Sequence, residues 1–113
     1  MQHRDKILLK KIVSEIDIGI EMMGEIGLED FLHNEMLKRA IGMTVINIGE
    51  LTKYVTAETR TSYPAVPWKE VAGFRDIAAH KYQTLRMEDV YLSVAEDFPA
   101  LKKQLAKILS QEM

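Results

Sequence analysis

The sequence predicts an all-α protein, an antiparallel bundle of four main helices joined by short connections. Three observations predict it. Apolar residues recur at threes and fours through most of the chain, the period of a helix that buries one face. No stretch alternates convincingly at period two, as a half-buried strand would. Gly, Pro, Asn and Asp residues fall where the periodic runs break, with no repeat and no low-complexity segment between them.

The first helix spans roughly Arg4 to Met23. Ile7, Leu8, Ile12, Ile16, Ile20 and Met23 form its stripe, and Lys6, Lys10, Glu15 and Asp17 fall off it. Gly24 and Gly27 then punctuate the chain, and the second is the expected stop. Leu28-Glu29-Asp30-Phe31-Leu32 reads as a short helical turn. Asn34 is the candidate N-cap of a second long helix that runs to about Val55. Its apolar set is Leu37, Ala40, Ile41, Val45, Ile48, Leu51 and Val55. Gly42 and Gly49 interrupt it, each weakening the helix by about 1 kcal/mol relative to alanine. Their spacing of seven puts them near one face, which suits close approach of another helix or simple tolerance.

Thr56 to Val66 reads as the loop of the protein, polar and turn-rich, with Pro64 and Pro67 bracketing Ala65 and Val66. Pro67 suits the first position of a helix, where a missing N–H costs nothing. The third main helix therefore runs from about Pro67 to about His80, with Trp68, Val71, Phe74 and Ala78 available to the core. The last helical region reads as two pieces. Val90, Leu92, Val94 and Ala95 lie in the first, and Leu101, Leu105, Ile108 and Leu109 in the second. Pro99 cannot sit mid-helix without a kink, which makes Asp97 the expected N-cap of a restart.

A chain of 113 residues is one domain, residues 1–113. Its 47% hydrophobic content suffices for a core, although so small a domain buries a limited share of its surface and gains from pairing. No apolar run approaches the ~20 residues that span a bilayer. The start, Met1-Gln2-His3-Arg4-Asp5-Lys6, lacks the cleavage pattern of a signal peptide. There is no cysteine for a disulfide framework or a thiolate metal site. A cytoplasmic protein is the expectation. The net charge of -2 argues against a generally basic nucleic-acid binder, yet the charge is uneven. Between Lys38 and Arg86, eight basic residues face four acidic ones, a local balance of +4. That is compatible with a phosphate ligand on one face, although by itself it fits solvated helix surfaces better.

Inside the basic span lies Arg75-Asp76-Ile77-Ala78-Ala79-His80-Lys81-Tyr82. On an ideal helix Arg75 and Tyr82 project within roughly 20° of each other, while His80 lies roughly 140° round from Arg75. The three do not form one stripe. They converge only if the helix ends near His80, or if a cleft collects residues from more than one helix or chain. Asp76, four before His80, is placed to orient the imidazole and raise its pKa. An arginine fork binds phosphate bidentately and stabilises developing charge, and a histidine moves protons near neutrality. RNA supplies its own nucleophile in the 2′-hydroxyl, so such a site needs no metal and no cofactor. The same spacing also fits a surface arginine, a histidine whose charge is favourable at a helix C-terminus, and a packing tyrosine.

Arg75, four residues, His80, one residue, Tyr82 resembles the R-x-x-x-x-H-x-Y signature of HEPN-domain ribonucleases, and most closely the HepT-like toxins of MntA/HepT toxin–antitoxin pairs. The likeness extends to Arg4-Asp5, to Arg39-Ala40 with Ile48-Gly49-Glu50, and to the run from Pro67-Trp68 into Arg75-Asp76. The resemblance implies a four- to five-helix HEPN-type bundle acting as a homodimer, with motif residues of both chains meeting in one cleft. It implies metal-independent RNA cleavage, with Arg75 on the phosphate and His80 serving proton transfer or transition-state stabilisation. It also implies an MNT-type nucleotidyltransferase antitoxin that adds AMP to Tyr82, whose new bulk and charge would block the cleft. The family often has asparagine after the arginine, where this chain has Asp76. An ionised Asp76 lowers the attraction of the cleft for RNA, or pairs with Arg75 or His80.

Other residues carry less. His3 and His33 have no metal-ligand spacing to another histidine or to cysteine. Trp68 reads as an anchor for its helix more than as a base-stacking platform. Tyr54 and Tyr63 flank the loop and suit packing more than RNA contact. Arg39, Asn47 and Glu50 are polar residues near one face of an apolar helix, placed to line the cleft or to form a network at a dimer interface. The leading reading is an endoribonuclease. The second is a non-catalytic helical module that binds a nucleotide or a partner nucleotidyltransferase.

Overall fold

Two helices, the first and the second long one, lie against each other along a seam that organises the rest of the chain. The structure is a computed structural model describing residues 1–80 and 86–112, with the side chains of residues 75–80 outside that description. The described residues form α1 (His3–Met23), α2 (Leu28–Leu32), α3 (Glu35–Lys53), α4 (Ala57–Ser62), α5 (Trp68–His80), α6 (Met87–Leu92) and α7 (Phe98–Gln111), with a π-helical turn at Ser93–Asp97 joining α6 to α7. No strand occurs among them. The expected all-α bundle is present, and its main members are α1, α3, α5 and the joined α6–α7.

α1 buries Asp5, Leu9, Ile12, Ile16, Gly19 and Met23, spaced alternately by fours and threes. Ile7, expected in this stripe, is instead 40% exposed, while Leu9 is fully buried. The register set by Ile12 and Ile16 runs back through Leu9 to Asp5 and leaves Ile7 on the opposite side. At Gly19 an added Cβ would stand 3.1 Å from Phe98 Cε2 and 3.3 Å from Thr44 Cγ2, so glycine lets α1 close on α3 and α7. Gly24, not Gly27, ends α1. Its φ is +51°, where a side chain would be strained, and its N–H reaches Ile20 O at 3.0 Å. Gly27 instead precedes α2, and its carbonyl accepts from Phe31 N at 3.0 Å.

Asn34 caps α3 as expected, its Oδ1 accepting from Leu37 N at 3.0 Å. Ile41, Val45, Ile48 and both interrupting glycines are buried. Buried Thr44 and Thr52 donate to the carbonyls of Ala40 (3.0 Å) and Ile48 (2.7 Å) within the helix. The expected loop after α3 contains a helix, α4. Its N-cap Thr56 also donates to Asp5 Oδ2 at 2.6 Å, as does Thr59 at 2.6 Å, and Thr56 N reaches Asp5 Oδ1 at 3.2 Å. This clasp ties the start of α1 to α4, which is why a polar, turn-rich segment is helical. Arg60 donates to the carbonyls of Thr52 (2.8 Å), Lys53 (3.2 Å) and Val55 (3.1 Å), satisfying groups that the end of α3 leaves without helical partners.

The expected restart at Asp97 does not occur. Asp97 is helical, with φ −77° and ψ −36°, and makes no side-chain cap. Pro99 lacks an N–H, and its ring crowds the carbonyl four residues back. The wider π turn before it accommodates both without a break. Val90, Val94, Phe98, Leu101, Leu105 and Ile108 are buried along the joined helices. Tyr91 donates to Ile26 O at 2.7 Å and packs its ring 5.4 Å from that of Phe31, fixing α6 against α2. No helix among the described residues is long and apolar enough to cross a membrane.

Candidate active site

Arg75 to His80 stand on α5, and the sequence around the start of that helix explains where it lies. Val66, Trp68 and Val71 are buried, and Trp68 Nε1–H donates to Tyr63 O at 2.9 Å. The Tyr63 hydroxyl donates to the Glu112 carboxylate. That carboxylate also meets the Met1 amino group at 3.3 Å, and the Glu112 carbonyl accepts from Lys6 Nζ at 2.8 Å. The shared hydrogen bond holds the Tyr63 hydroxyl above its ordinary pKa and the Glu112 carboxyl below its own. Both chain ends therefore grip the segment that launches α5. α5 starts at the end of the bundle where α3 finishes and packs along α3, so the two run antiparallel.

Arg75, Asp76 and His80 lie on α5, which is helical through His80. Their side chains, and Tyr82 altogether, lie outside the described residues. The backbone alone places Arg75 and His80 roughly 140° apart on this helix.

Of the three polar α3 residues, Asn47 and Glu50 line one cleft, of about 310 Å³, between α1 and α3. Lys11, Ser14, Glu15 and Leu51 complete its walls. Asn47 Nδ2 donates to Glu15 Oε1 at 3.3 Å, bridging the two helices. Arg39 stands earlier on α3 and is exposed, its Nε 3.1 Å from Glu35 Oε1. Lys38 also pairs with Glu35, at 3.1 Å, and the two cations hold the Glu35 carboxyl below its usual range, Lys38 most strongly. Sequence reasoning passed over Lys11, Ser14 and Glu15. Their spacing of three and four, off the apolar stripe of α1, was the available signal.

His3 and His33 are exposed, the latter with Nδ1 2.9 Å from Glu29 O. Trp68 is the anchor that the sequence suggested. Tyr63 is bound into the terminal grip, while Tyr54 stands 53% exposed at the end of α3.

Residues 11–108 match the ribonuclease HepT-like family. Among similar proteins, an inferred RNase of Caldanaerobacter subterraneus is 35% identical over 92% of this chain and 93% of its own length. An inferred RNase of Methanocaldococcus jannaschii is 34% identical over 93% of this chain and 97% of its own. An inferred ribonuclease HepT of Thermococcus cleftensis is 31% identical over 96% and 98%. No solved structure matches the chain significantly. A helical bundle whose sequence carries the R-x-x-x-x-H-x-Y spacing, with Arg75 and His80 on α5, and which is matched from α1 to α7, places the chain in the HepT-like family of ribonucleases.

Proposed function

We propose that this protein is the metal-independent endoribonuclease toxin of a type VII-like toxin–antitoxin pair, acting as a homodimer. One observation carries the reading. Arg75 and His80 keep the family spacing on a helix that continues through His80 and packs along α3. Two groups roughly 140° apart on one helix serve one phosphodiester best when a second copy supplies the opposite wall. Arg75 binds the phosphate and stabilises the charge that develops on it. The RNA 2′-oxygen gives up its proton and attacks phosphorus, and the bond to the 5′-oxygen breaks. A 2′,3′-cyclic phosphate and a 5′-hydroxyl result. His80 moves a proton in this exchange or stabilises its transition state. Asp76, one turn before it, orients the imidazole, and Asn47, Glu50 and Arg39 support the site from α3.

Control comes from an MNT-type nucleotidyltransferase antitoxin. The Tyr82 hydroxyl takes AMP from ATP, pyrophosphate leaves, and the added bulk and negative charge keep RNA out. The deciding experiment is cleavage of RNA in EDTA by the purified protein. Activity that disappears in Arg75→Ala and His80→Ala while both remain folded supports the reading, and persistent cleavage by His80→Ala overturns the assignment of His80. Co-expression with a cognate MNT-type nucleotidyltransferase should add the mass of AMP to the Tyr82 peptide. An unmodified peptide beside an active nucleotidyltransferase removes that form of control.

A further inference from the structure

We infer that the cleft between α1 and α3 is a recognition pocket for a guanine base of the RNA substrate, an inference that rests on the ribonuclease reading. The cleft holds about 310 Å³, at the lower end of small-ligand pockets. Its walls bring opposite hydrogen-bonding types together. Glu15 is an acceptor, and Lys11 and Ser14 bring donors. Asn47 offers both types, and its existing bond to Glu15 holds the pair in place. That bond leaves Glu15 its second carboxylate oxygen and a further lone pair on Oε1, and Asn47 its carbonyl oxygen and one amide hydrogen.

Guanine matches this array better than the other bases. Its Watson–Crick edge presents two neighbouring donors, N1–H and the N2 amine, beside the O6 acceptor. A carboxylate accepts from the two donors together, and an ammonium, hydroxyl or amide donates to O6. Adenine and cytosine present one donor beside an acceptor, and uracil presents a donor between two acceptors, so each leaves part of the array unsatisfied. Leu51 supplies apolar wall. Tyr54, seven residues after Asn47 and therefore on its face of α3, is 53% exposed and offers a ring for stacking.

Charge supports a base rather than a phosphate here. Glu15 stands beside Lys11 in the cleft, so its lining offers no surplus cation to a phosphate. Exposed Lys53 lies roughly 120° round α3 from Asn47, on the side away from α1. The phosphates follow that basic flank toward α5, and the base turns across α3 into the cleft. Packed helices are ~8–10 Å apart, so the pocket and the motif helix serve neighbouring parts of one strand.

The test uses oligoribonucleotides with one guanine near a mapped cleavage position, replaced in turn by adenine, cytosine, uracil and inosine. Inosine keeps N1–H and O6 and lacks only the N2 amine. The unaltered protein should cleave the guanine substrate about tenfold faster than the inosine one, the loss expected for one arm of a bidentate contact. Glu15→Gln should bring that ratio close to one, and Asn47→Ala should reduce it. Equal cleavage of all five substrates, or an unchanged ratio in Glu15→Gln, overturns the pocket while leaving the ribonuclease reading intact. A second measurement is independent of catalysis. Titration with GMP should shift the Asn47 side-chain amide resonance of the full chain, and IMP should do so about tenfold more weakly. Binding of this kind without any RNA cleavage supports the pocket and overturns the ribonuclease reading. GMP and IMP binding equally, or neither shifting Asn47, counts against the pocket.

Discussion

The two sides of the α1–α3 seam are made from the same two helices and have opposite character. On the inner side Leu9, Ile12 and Ile16 are buried with Ile41 and Ile48, and Gly19 admits Phe98 to close contact. On the outer side Lys11, Ser14 and Glu15 face Asn47 and Glu50 across an open cleft, with Ile7 and Ile18 exposed on the same flank of α1. Two residues of sequence separate Ile16 from Ile18, yet one is fully buried and the other 45% exposed. The inner side supplies cohesion through excluded water and close packing. The outer side leaves Lys11 and Ser14 exposed and Glu15 and Asn47 half-buried at the cleft. One pair of helices can be scaffold and binding surface at once because a turn of 200° separates residues two apart.

Three substitutions test that contrast, from the largest effect to the smallest. Ile16→Ala should lower stability by about 3–4 kcal/mol, through lost burial and the cavity left behind, as measured by denaturant unfolding. A loss below 1 kcal/mol would mean that the inner side is not the core. Asp5→Ala should cost about 3 kcal/mol at neutral pH, because it strands two hydroxyls and an amide at the end of the seam. Burial pushes the Asp5 carboxyl up, but its bonds from Thr56 and Thr59 outweigh that and hold it below its ordinary value. A depressed carboxyl contributes stability above the unfolded pKa and loses it as the pH falls through the folded one. The gap between wild type and Asp5→Ala should therefore narrow below about pH 4. A gap that stays constant there would remove the charged form from the account. Ile18→Ala should change stability by no more than about 0.5 kcal/mol, since its side chain is half in water. A larger loss would show that the outer side is covered by something in solution.

Most of the fold was legible before the structure. The helical class, the Asn34 cap, the short turn at Leu28 and the anchoring by Trp68 all follow from local periodicity and capping chemistry. The places where the reading failed share one cause. Ile7 and Leu9 are both good core residues, and only the partner helix decides which one it covers. α4 looked like a loop because Thr56 and Thr59 are turn formers until Asp5, fifty-one residues before Thr56, accepts from both. Pro99 reads as a break in a straight helix, whereas packing of Val94 and Phe98 into the core favours one continuous rod with a widened turn.

The site divides in the same way. The sequence by itself determined the helical class, the basic span and the spacing of Arg75, His80 and Tyr82, because periodicity, charge and motif are properties of neighbouring residues. It also determined that Arg75 and His80 cannot share one helical face, since that follows from the pitch of a helix alone. Only the packing of the helices decided that Glu15 meets Asn47 across the seam and that Glu50 joins them in one cleft. It also decided that both chain ends grip the start of α5. Those contacts join residues thirty to more than a hundred positions apart. Which of many polar side chains meets which is set by how buried apolar faces align the helices, and no local pattern records that alignment.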